Sequence, residues 1–395
     1  MSYRKFKADF IFDGKELLDE NRVLITNETG VIENIISQQD AGDNIEVFKG
    51  LLCPGFINCH CHLELSHMKN VIESGTGLVD FLIKVIGKRG LVKEEIQAAI
   101  KAADTEMHNS GMVAVGDISN TIDSLQTKLQ SKIHYHNFIE VPGFTEERAS
   151  AVLESYLKIY KAFCEAGFEK HTSVVPHAPY TISNKMFGLI NDVSANRIIS
   201  IHNQETLAED ELYQTKTGDF LKLYHHLNIN IDFFKPFNKS SLQSYLPLLD
   251  KAQKILLVHN TFTQQSDIDF SFMQSKITQQ EIFWCLCANA NLYIENMLPP
   301  VKLLKQNNCT IILGTDSYSS NLSLNMLDEM KTLQKNFPFI QTEELLQWAT
   351  LNGATALGTN DKKGSFEKGK QPGIVWIKNL HHSTLTQSSV STRIL

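Results

Sequence analysis

Along the chain, short apolar runs alternate with stretches whose apolar residues recur at three- and four-residue spacing. Glu95 to Asn109 is the clearest of the second kind. Ile96, Ala99, Ile100, Ala103 and Met107 share one helical face, and Gly111 follows as a C-cap. Met112 to Val115 then reads as a buried strand running to Asp117. The alternation repeats, with strands predicted at Ile133 to Val141, Thr172 to Pro176, Ile198 to Ile201, Lys254 to Val258, Ile282 to Leu286 and Thr310 to Leu313. Adding Leu51 to Ile57 at the start gives eight strands alternating with helices, the order of a (β/α)8 barrel. The chain ends read differently. Val23 to Ile25 and Val31 to Ile36 flank a turn as a hairpin, and Gly373 to Ile377 is a further strand. The expected architecture is therefore α/β, a TIM-like (β/α)8 barrel over residues 55–359. A small β-sandwich domain is expected from both termini, residues 1–54 and 360–395.

Composition narrows the function classes. The 395 residues are 42% hydrophobic and 21% charged, which excludes disordered and coiled-coil readings. Lys plus Arg is 37 against 44 Asp plus Glu, a net charge of −7, and no dense basic run occurs, so nucleic acid is not an expected partner. No apolar stretch approaches the ~18 residues that cross a bilayer. Met1 to Asp13 lacks the apolar segment of a secretory signal. Seven Cys, an odd number scattered over the chain, read as reduced thiols of a cytoplasmic protein. The expected partner is a small-molecule substrate.

The chemistry is positional. Barrel active sites form at the C-terminal ends of the strands, and polar residues follow the predicted strands here. His60 and His62 follow the first, His177 the fourth, His202 and Glu205 the fifth, His259 the sixth and Asp316 the eighth. Residues i and i+2 of an extended segment point the same way, so His60 and His62 can converge on one cation. With His202 and Asp316 they make three imidazoles and a carboxylate, a set suited to Zn²⁺ or Fe²⁺ with one position open. Such an ion lowers the pKa of a bound water from 15.7 to about 7. Glu205, three residues after His202, is placed to move that water's proton, and His259 to hydrogen-bond the water or the developing anion. Cys59 and Cys61 alternate with the histidines and are expected to pack on the opposite face. Cys285 and Cys287 read as core filling, because no second pair completes a thiolate site.

These motifs together resemble the amidohydrolase superfamily. Pro54-Gly55-Phe56-Ile57-Asn58-Cys59-His60-Cys61-His62 carries the likeness, with His202, His259 and Gly314-Thr315-Asp316 following in order. The resemblance covers nearly the whole chain and is to the branch of nucleoside and nucleobase deaminases and s-triazine hydrolases. It implies one divalent metal ion, zinc or iron, on His60, His62, His202 and Asp316. It also implies Glu205 as general acid/base, and His259 with Asp316 activating the water. Dinuclear members carry a carboxylated Lys at the end of the fourth strand. His177 stands near that point here, so one metal is expected, with His177 as a substrate contact.

At finer grain, His60-Cys61-His62-Leu63-Glu64-Leu65-Ser66-His67 and Cys285 to Ile294 resemble the aminodeoxyfutalosine deaminases of menaquinone biosynthesis. This implies removal of the 6-amino group from an adenine nucleoside-like substrate, with Glu64 toward the ribose hydroxyls and Asn289 as a further substrate contact. A homodimer is expected from the same likeness. Three alternatives stay open: deamination of adenosylhomocysteine, methylthioadenosine or a free base; a triazine-type chlorohydrolase; and an inactive binding protein on the same barrel. The segment from Leu207 to Asp250 is expected to cover the site.

Overall fold

The computed structural model describes residues 3–395; Met1 and Ser2, the start of the expected terminal unit, lie outside the described residues. Eight parallel strands fall where the apolar runs predict them. They form two four-stranded sheets, β6 (Phe56–Cys61), β7 (Met112–Ser119), β8 (His134–Val141) and β9 (Thr172–Pro176) in one, and β10 (Ile198–Asn203), β11 (Lys254–His259), β12 (Glu281–Leu286) and β13 (Ile311–Leu313) in the other. Nearly every residue of these strands is buried, as parallel strands covered on both faces must be. The backbone also links the two sheets. His202 N–H donates to the His177 carbonyl at 3.0 Å beside β9, and Thr315 and Asp316 N–H both donate to the His60 carbonyl, at 3.0 and 3.1 Å.

The terminal strands pair separately. β1 (Tyr3–Phe12) runs antiparallel to β3 (Arg22–Asn27) and parallel to β5 (Ile45–Pro54), β3 continues to β4 (Ile32–Ser37), and β14 (Ile374–Lys378) joins β5 to β15 (Val390–Arg393). With β2 (Leu17–Leu18) on β1, the pairing is one continuous seven-stranded mixed sheet, where two layers were expected. Phe6, Ala8, Ile11, Leu24, Ile32, Leu52, Phe366 and Ile374 form its own apolar core.

One boundary moves. Leu51 to Ile57 reads as a single strand, but Leu51 and Cys53 pair with Ile377 and Val375 in the terminal sheet, and the first parallel strand begins at Phe56. The apolar run is unbroken, so pattern alone cannot divide it. Gly55 divides it physically. A Cβ there would sit 2.2 Å from Val113 Cγ1 and 2.7 Å from the Pro372 carbonyl, so only glycine lets the chain cross between the sheets at this spot. The helix expected at Glu95 to Asn109 is α2 (Lys93–Ser110), preceded by α1 (Leu78–Lys88). It ends in Gly111 at φ 110°, the left-handed cap the sequence predicts.

Beneath the strand ends lies a fully buried ion pair. Lys128, on α3 (Leu125–Gln130), places its ammonium 2.6 Å from Asp117 and 2.9 Å from both Ser119 Oγ and Asn137 Oδ1. The ammonium donates to Ser119 and Asn137 and holds Asp117 by charge contact, while the other oxygen of Asp117 receives Leu63 N–H at 2.8 Å. Asp117 thereby anchors the turn that follows His62. Removing the cation alone strands a buried charge, so Lys128→Met should cost about 3–5 kcal/mol. The double change with Asp117→Asn should cost less than Lys128→Met alone, as read by equilibrium denaturation. A double variant less stable than the single one would contradict this account of the pair.

Candidate metal centre

The C-terminal strand ends bring the expected side chains together. His60 lies on β6, with His62 just beyond it; His202 lies on β10, His259 ends β11 and Asp316 follows β13. All five are buried. His62 Nε2 stands 3.1 Å from His60 Nε2, 3.3 Å from His202 Nε2 and 3.4 Å from Asp316 Oδ1, and His60 Nε2 is 3.6 Å from the same oxygen. His60, His202, His259 and Asp316 also offer ligand atoms within 4.8 Å of one another. Metal bonds of about 2.0–2.2 Å in a tetrahedral array space their donor atoms roughly 3.3–3.6 Å apart. Three of the four distances fall in that range, and the His60–His62 separation of 3.1 Å lies just below it.

Protons alone cannot satisfy this arrangement. His62 Nε2 faces two other ring nitrogens and a carboxylate, and one N–H can serve only one of them. His202 Nδ1–H donates to the His177 carbonyl at 2.8 Å, leaving a lone pair on the Nε2 that faces the cluster. His259 is oriented by Asn291, whose amide donates to Thr261 Oγ1 at 2.9 Å. Its Oδ1 therefore accepts from His259 Nδ1–H at 2.8 Å. His259 Nε2 is then a buried lone pair with no partner among the described residues. Burial, the largest cause in each case, pushes His62 down to about 3 and His177 to about 4, and lowers His202 and His259 as well. Neutral imidazoles with lone pairs turned inward are what a divalent cation requires.

The backbone is bent to make the cluster. His259 and Asp316 hold φ at 76° and 56°, a left-handed conformation uncommon for residues with a side chain and concentrated at functional sites. Gly314 makes the approach of β13 to β6 possible, because a Cβ there would meet His60 Cβ at 2.9 Å and the sulfurs of Cys285 and Cys287 at 3.0 Å. The Ser320 hydroxyl donates to Asp316 Oδ2, holding the carboxylate in place. Cys59, Cys61, Cys285 and Cys287 are free and buried in the core, as expected.

Beside the cluster is a cavity of about 480 Å³, lined by His62, His177, His202, Glu205, His259 and Asp316 among others. Glu205 is buried on this lining, 3.6 Å from His259 Nε2. Burial above all, then the charges of Asp316 and Glu295, raises its carboxyl well above the ordinary range. His177 Nδ1 donates to Thr181 Oγ1 at 2.9 Å, leaving its Nε2 unprotonated.

Two expected contacts lie elsewhere. Glu64 is buried, accepting N–H bonds from Asn120 and Thr121 at 3.1 to 3.2 Å, and is absent from the lining; it props a wall that Asn120 and Thr121 present to the cavity. Asn289 bonds to Thr332 Oγ1 at 2.6 Å and Glu329 at 3.0 Å, lining a separate pocket. The reason is helical: residues 289 and 291 sit in the helix Ala288–Glu295, where an i, i+2 pair faces different sides, and Asn291 is the one turned to His259. Glu140 on β8 was not foreseen. It lines the cavity with Oε1 3.6 Å from His202 Nδ1, and burial chiefly raises it to about 7. The segment 207–250 contributes Leu227 to the lining and packs Phe220 on Tyr180 beside it.

If the inward nitrogens hold an ion, His202→Ala should lose most of the metal retained after reconstitution and dialysis. Elemental analysis reads this directly, and unchanged metal content in the variant would remove His202 from the ligand set.

Comparison with known proteins agrees with this geometry. A model of the amidohydrolase family matches residues 51–392. An adenosine deaminase of Helicobacter pylori is 27% identical over 331 residues, which are 82% of this chain and 78% of that one. An aminodeoxyfutalosine deaminase of Nitratiruptor sp. is 26% identical over 335 residues, covering 83% and 79%. The solved structure of Helicobacter pylori aminofutalosine deaminase in complex with methylthio-coformycin superposes with a TM-score of 0.80 at 23% identity, over 97% of this chain and 93% of that one. The chain, with its TIM-barrel-type neighbours and its cluster of inward histidines, belongs to the amidohydrolase family.

Proposed function

We propose that this amidohydrolase is a nucleoside deaminase that replaces the 6-amino group of an adenine nucleoside with oxygen, with aminodeoxyfutalosine as the leading substrate. The observation that carries the reading is the buried Glu205, 3.6 Å from His259 Nε2 on the wall that the histidine cluster shares with a cavity of about 480 Å³. Relatives named as deaminases of adenosine and aminodeoxyfutalosine support the substrate class. The likeness to the Nitratiruptor protein favours the finer choice.

His60, His62, His202 and Asp316 would hold one divalent ion, zinc or iron. When bound, that ion supplies a Lewis acid that makes water nucleophilic at neutral pH. The protein's own groups do the rest. Glu205 gives its proton to the purine ring nitrogen beside C6, which makes that carbon electrophilic. His259, neutral and unpartnered at Nε2, accepts a hydrogen bond from the attacking water, and Glu205 takes up the water's proton as the new C–O bond forms. The same carboxyl returns that proton to the amine, the C–N bond breaks and ammonia leaves, and the carboxylate recovers a proton from the C6 hydroxyl as the C=O bond forms. One group thus serves both directions because burial keeps its affinity for protons high. His177, with a free Nε2 on the lining, is assigned to a substrate contact. Glu64 acts at one remove, by fixing Asn120 and Thr121.

The finer architecture goes with this reading. The two four-stranded sheets are read as one (β/α)8 barrel over residues 55–359, joined at His177 with His202 and at His60 with Asp316. The terminal sheet, 1–54 with 360–395, is read as the small β domain, and a homodimer as the assembly. No helix is long and apolar enough to cross a membrane among the described residues.

Ammonia release by zinc-reconstituted protein tests the proposal across aminodeoxyfutalosine, adenosine, 5′-deoxyadenosine, methylthioadenosine, adenosylhomocysteine and guanine. Aminodeoxyfutalosine should be turned over with the highest kcat/KM. Glu205→Gln should keep its metal and lose about 10²–10⁴-fold in kcat. A fully metallated enzyme silent on every nucleoside would contradict the function, and a near-fully active Glu205→Gln would contradict the role.

A further inference from the structure

Resting on the nucleoside-deaminase reading, we infer that Gln204 is a positioning residue that sets the aim of Glu205. In a strand that ran on past His202, residues 202 and 204 would face one side and residue 205 the other. His202 and Glu205 nevertheless both line the cavity, and Gln204 does not. The exchange happens at Gln204 itself. Its φ of 46° breaks the extended backbone just after β10 and turns the next side chain back to the strand ends. A residue with a side chain holds this left-handed conformation only where its surroundings enforce it.

Here they do so through every polar group of a fully buried residue. Gln204 N–H donates to Glu209 Oε1 at 2.9 Å, and its carbonyl accepts from Phe262 N–H at 3.0 Å. Its Oε1 accepts from Thr263 Oγ1 at 2.8 Å. Its Nε2 donates to Asp267 Oδ2 at 2.9 Å, with Asp210 Oδ2 3.5 Å away. Ionised carboxylates only accept, so they fix which end of the amide faces them. The same three acids also grip the segment 207–250 near its end. Asp267 accepts from Ser240 Oγ and Gln243 Nε2, Asp210 from Ser241 N–H, and Glu209 from Ser241 Oγ. Gln204 thus stands between residues 240–243 and the carboxyl that faces His259. Its backbone angle directs the following residue, so loss of this clamp lets Glu205 swing from its place 3.6 Å from His259 Nε2.

The test uses zinc-reconstituted enzyme on the best nucleoside of the panel above. Gln204→Met keeps the length of the side chain and removes both of its hydrogen bonds. Gln204→Gly accepts the left-handed backbone without strain and removes the clamp. Both should keep their metal and lose about 10–100-fold in kcat, as a misplaced reacting group predicts, with KM changed less than about threefold. The solvent deuterium isotope effect on kcat should rise, because proton transfer becomes the slow step. Thr263→Val should lower kcat in the wild type and add less than about twofold to the loss in Gln204→Met, since both act through one amide. Ile11→Val, in the separate core of the terminal sheet, should keep kcat and so measures what a general weakening of the fold does. In crystals of Gln204→Met, the Glu205 carboxyl should have moved away from His259. If wild type deaminates but the Gln204 variants keep kcat, lose only KM, lose activity in step with their metal or match Ile11→Val, the inference is overturned and the deaminase reading stands. If wild type deaminates no nucleoside, the deaminase reading falls and the crystals alone decide. A displaced Glu205 then sustains the inference, and an unmoved one overturns it too.

Discussion

Two hydrogen bonds, from the N–H groups of Thr315 and Asp316 to the carbonyl of His60, fasten the end of the last parallel strand to the end of the first. The candidate site depends on them. They set Asp316 Oδ1 within 3.6 Å of both His60 and His62, although the two strand ends are far apart in the chain. The contact requires close backbone approach, which Gly314 permits by presenting no Cβ to His60, Cys285 and Cys287. It also requires the left-handed turn at Asp316, which the Ser320 hydroxyl holds from the other side. A second fastening, His202 N–H and Nδ1–H both on the His177 carbonyl, does the same for the fifth strand.

What these fastenings assemble would be unfavourable without a further partner. Buried imidazoles resist charging, and here burial lowers each of His62, His177, His202 and His259. Turning several of their lone pairs toward one point leaves His259 Nε2 unsatisfied, the kind of defect that native interiors keep only where function needs it. The same burial acts oppositely on the acids beside the imidazoles: Glu205 and Glu140 are both raised. One cause, exclusion of water from the strand ends, therefore favours neutral imidazoles and raises the proton affinity of the carboxyl beside them.

Much of this was legible in the sequence because parallel buried strands write themselves as apolar runs, and five of the eight runs here lead to a residue that the fold turns to the site. His60, His62, His202, His259 and Asp316 are found that way. The misses have local physical causes. Leu51 to Ile57 is one apolar run shared by two sheets, and only the crowding at Gly55 separates them. The sequence pattern around Asn289 does not show which face of the helix Ala288–Glu295 turns to the cluster, and the amide that reaches His259 is Asn291, two residues on. Glu64 looks like a surface loop residue but is buried in a short 3-10 helix under Asn120 and Thr121. Glu140 carried a usable signal: a carboxylate inside the apolar strand Phe138-Ile139-Glu140-Val141 is costly unless it has work to do. The Lys128–Asp117 pair carried none, because the partners lie on different elements and only the fold brings them to 2.6 Å.

The central claim is that one divalent cation is the missing partner of the inward nitrogens. Anomalous diffraction from crystals of zinc-reconstituted protein, recorded on both sides of the zinc edge, tests it most directly. The account predicts a single anomalous peak bonded to His60, His62, His202 and Asp316, with His259 Nε2 beside it and unbound. A pair of peaks, a peak away from these side chains, or none at full zinc loading would contradict it.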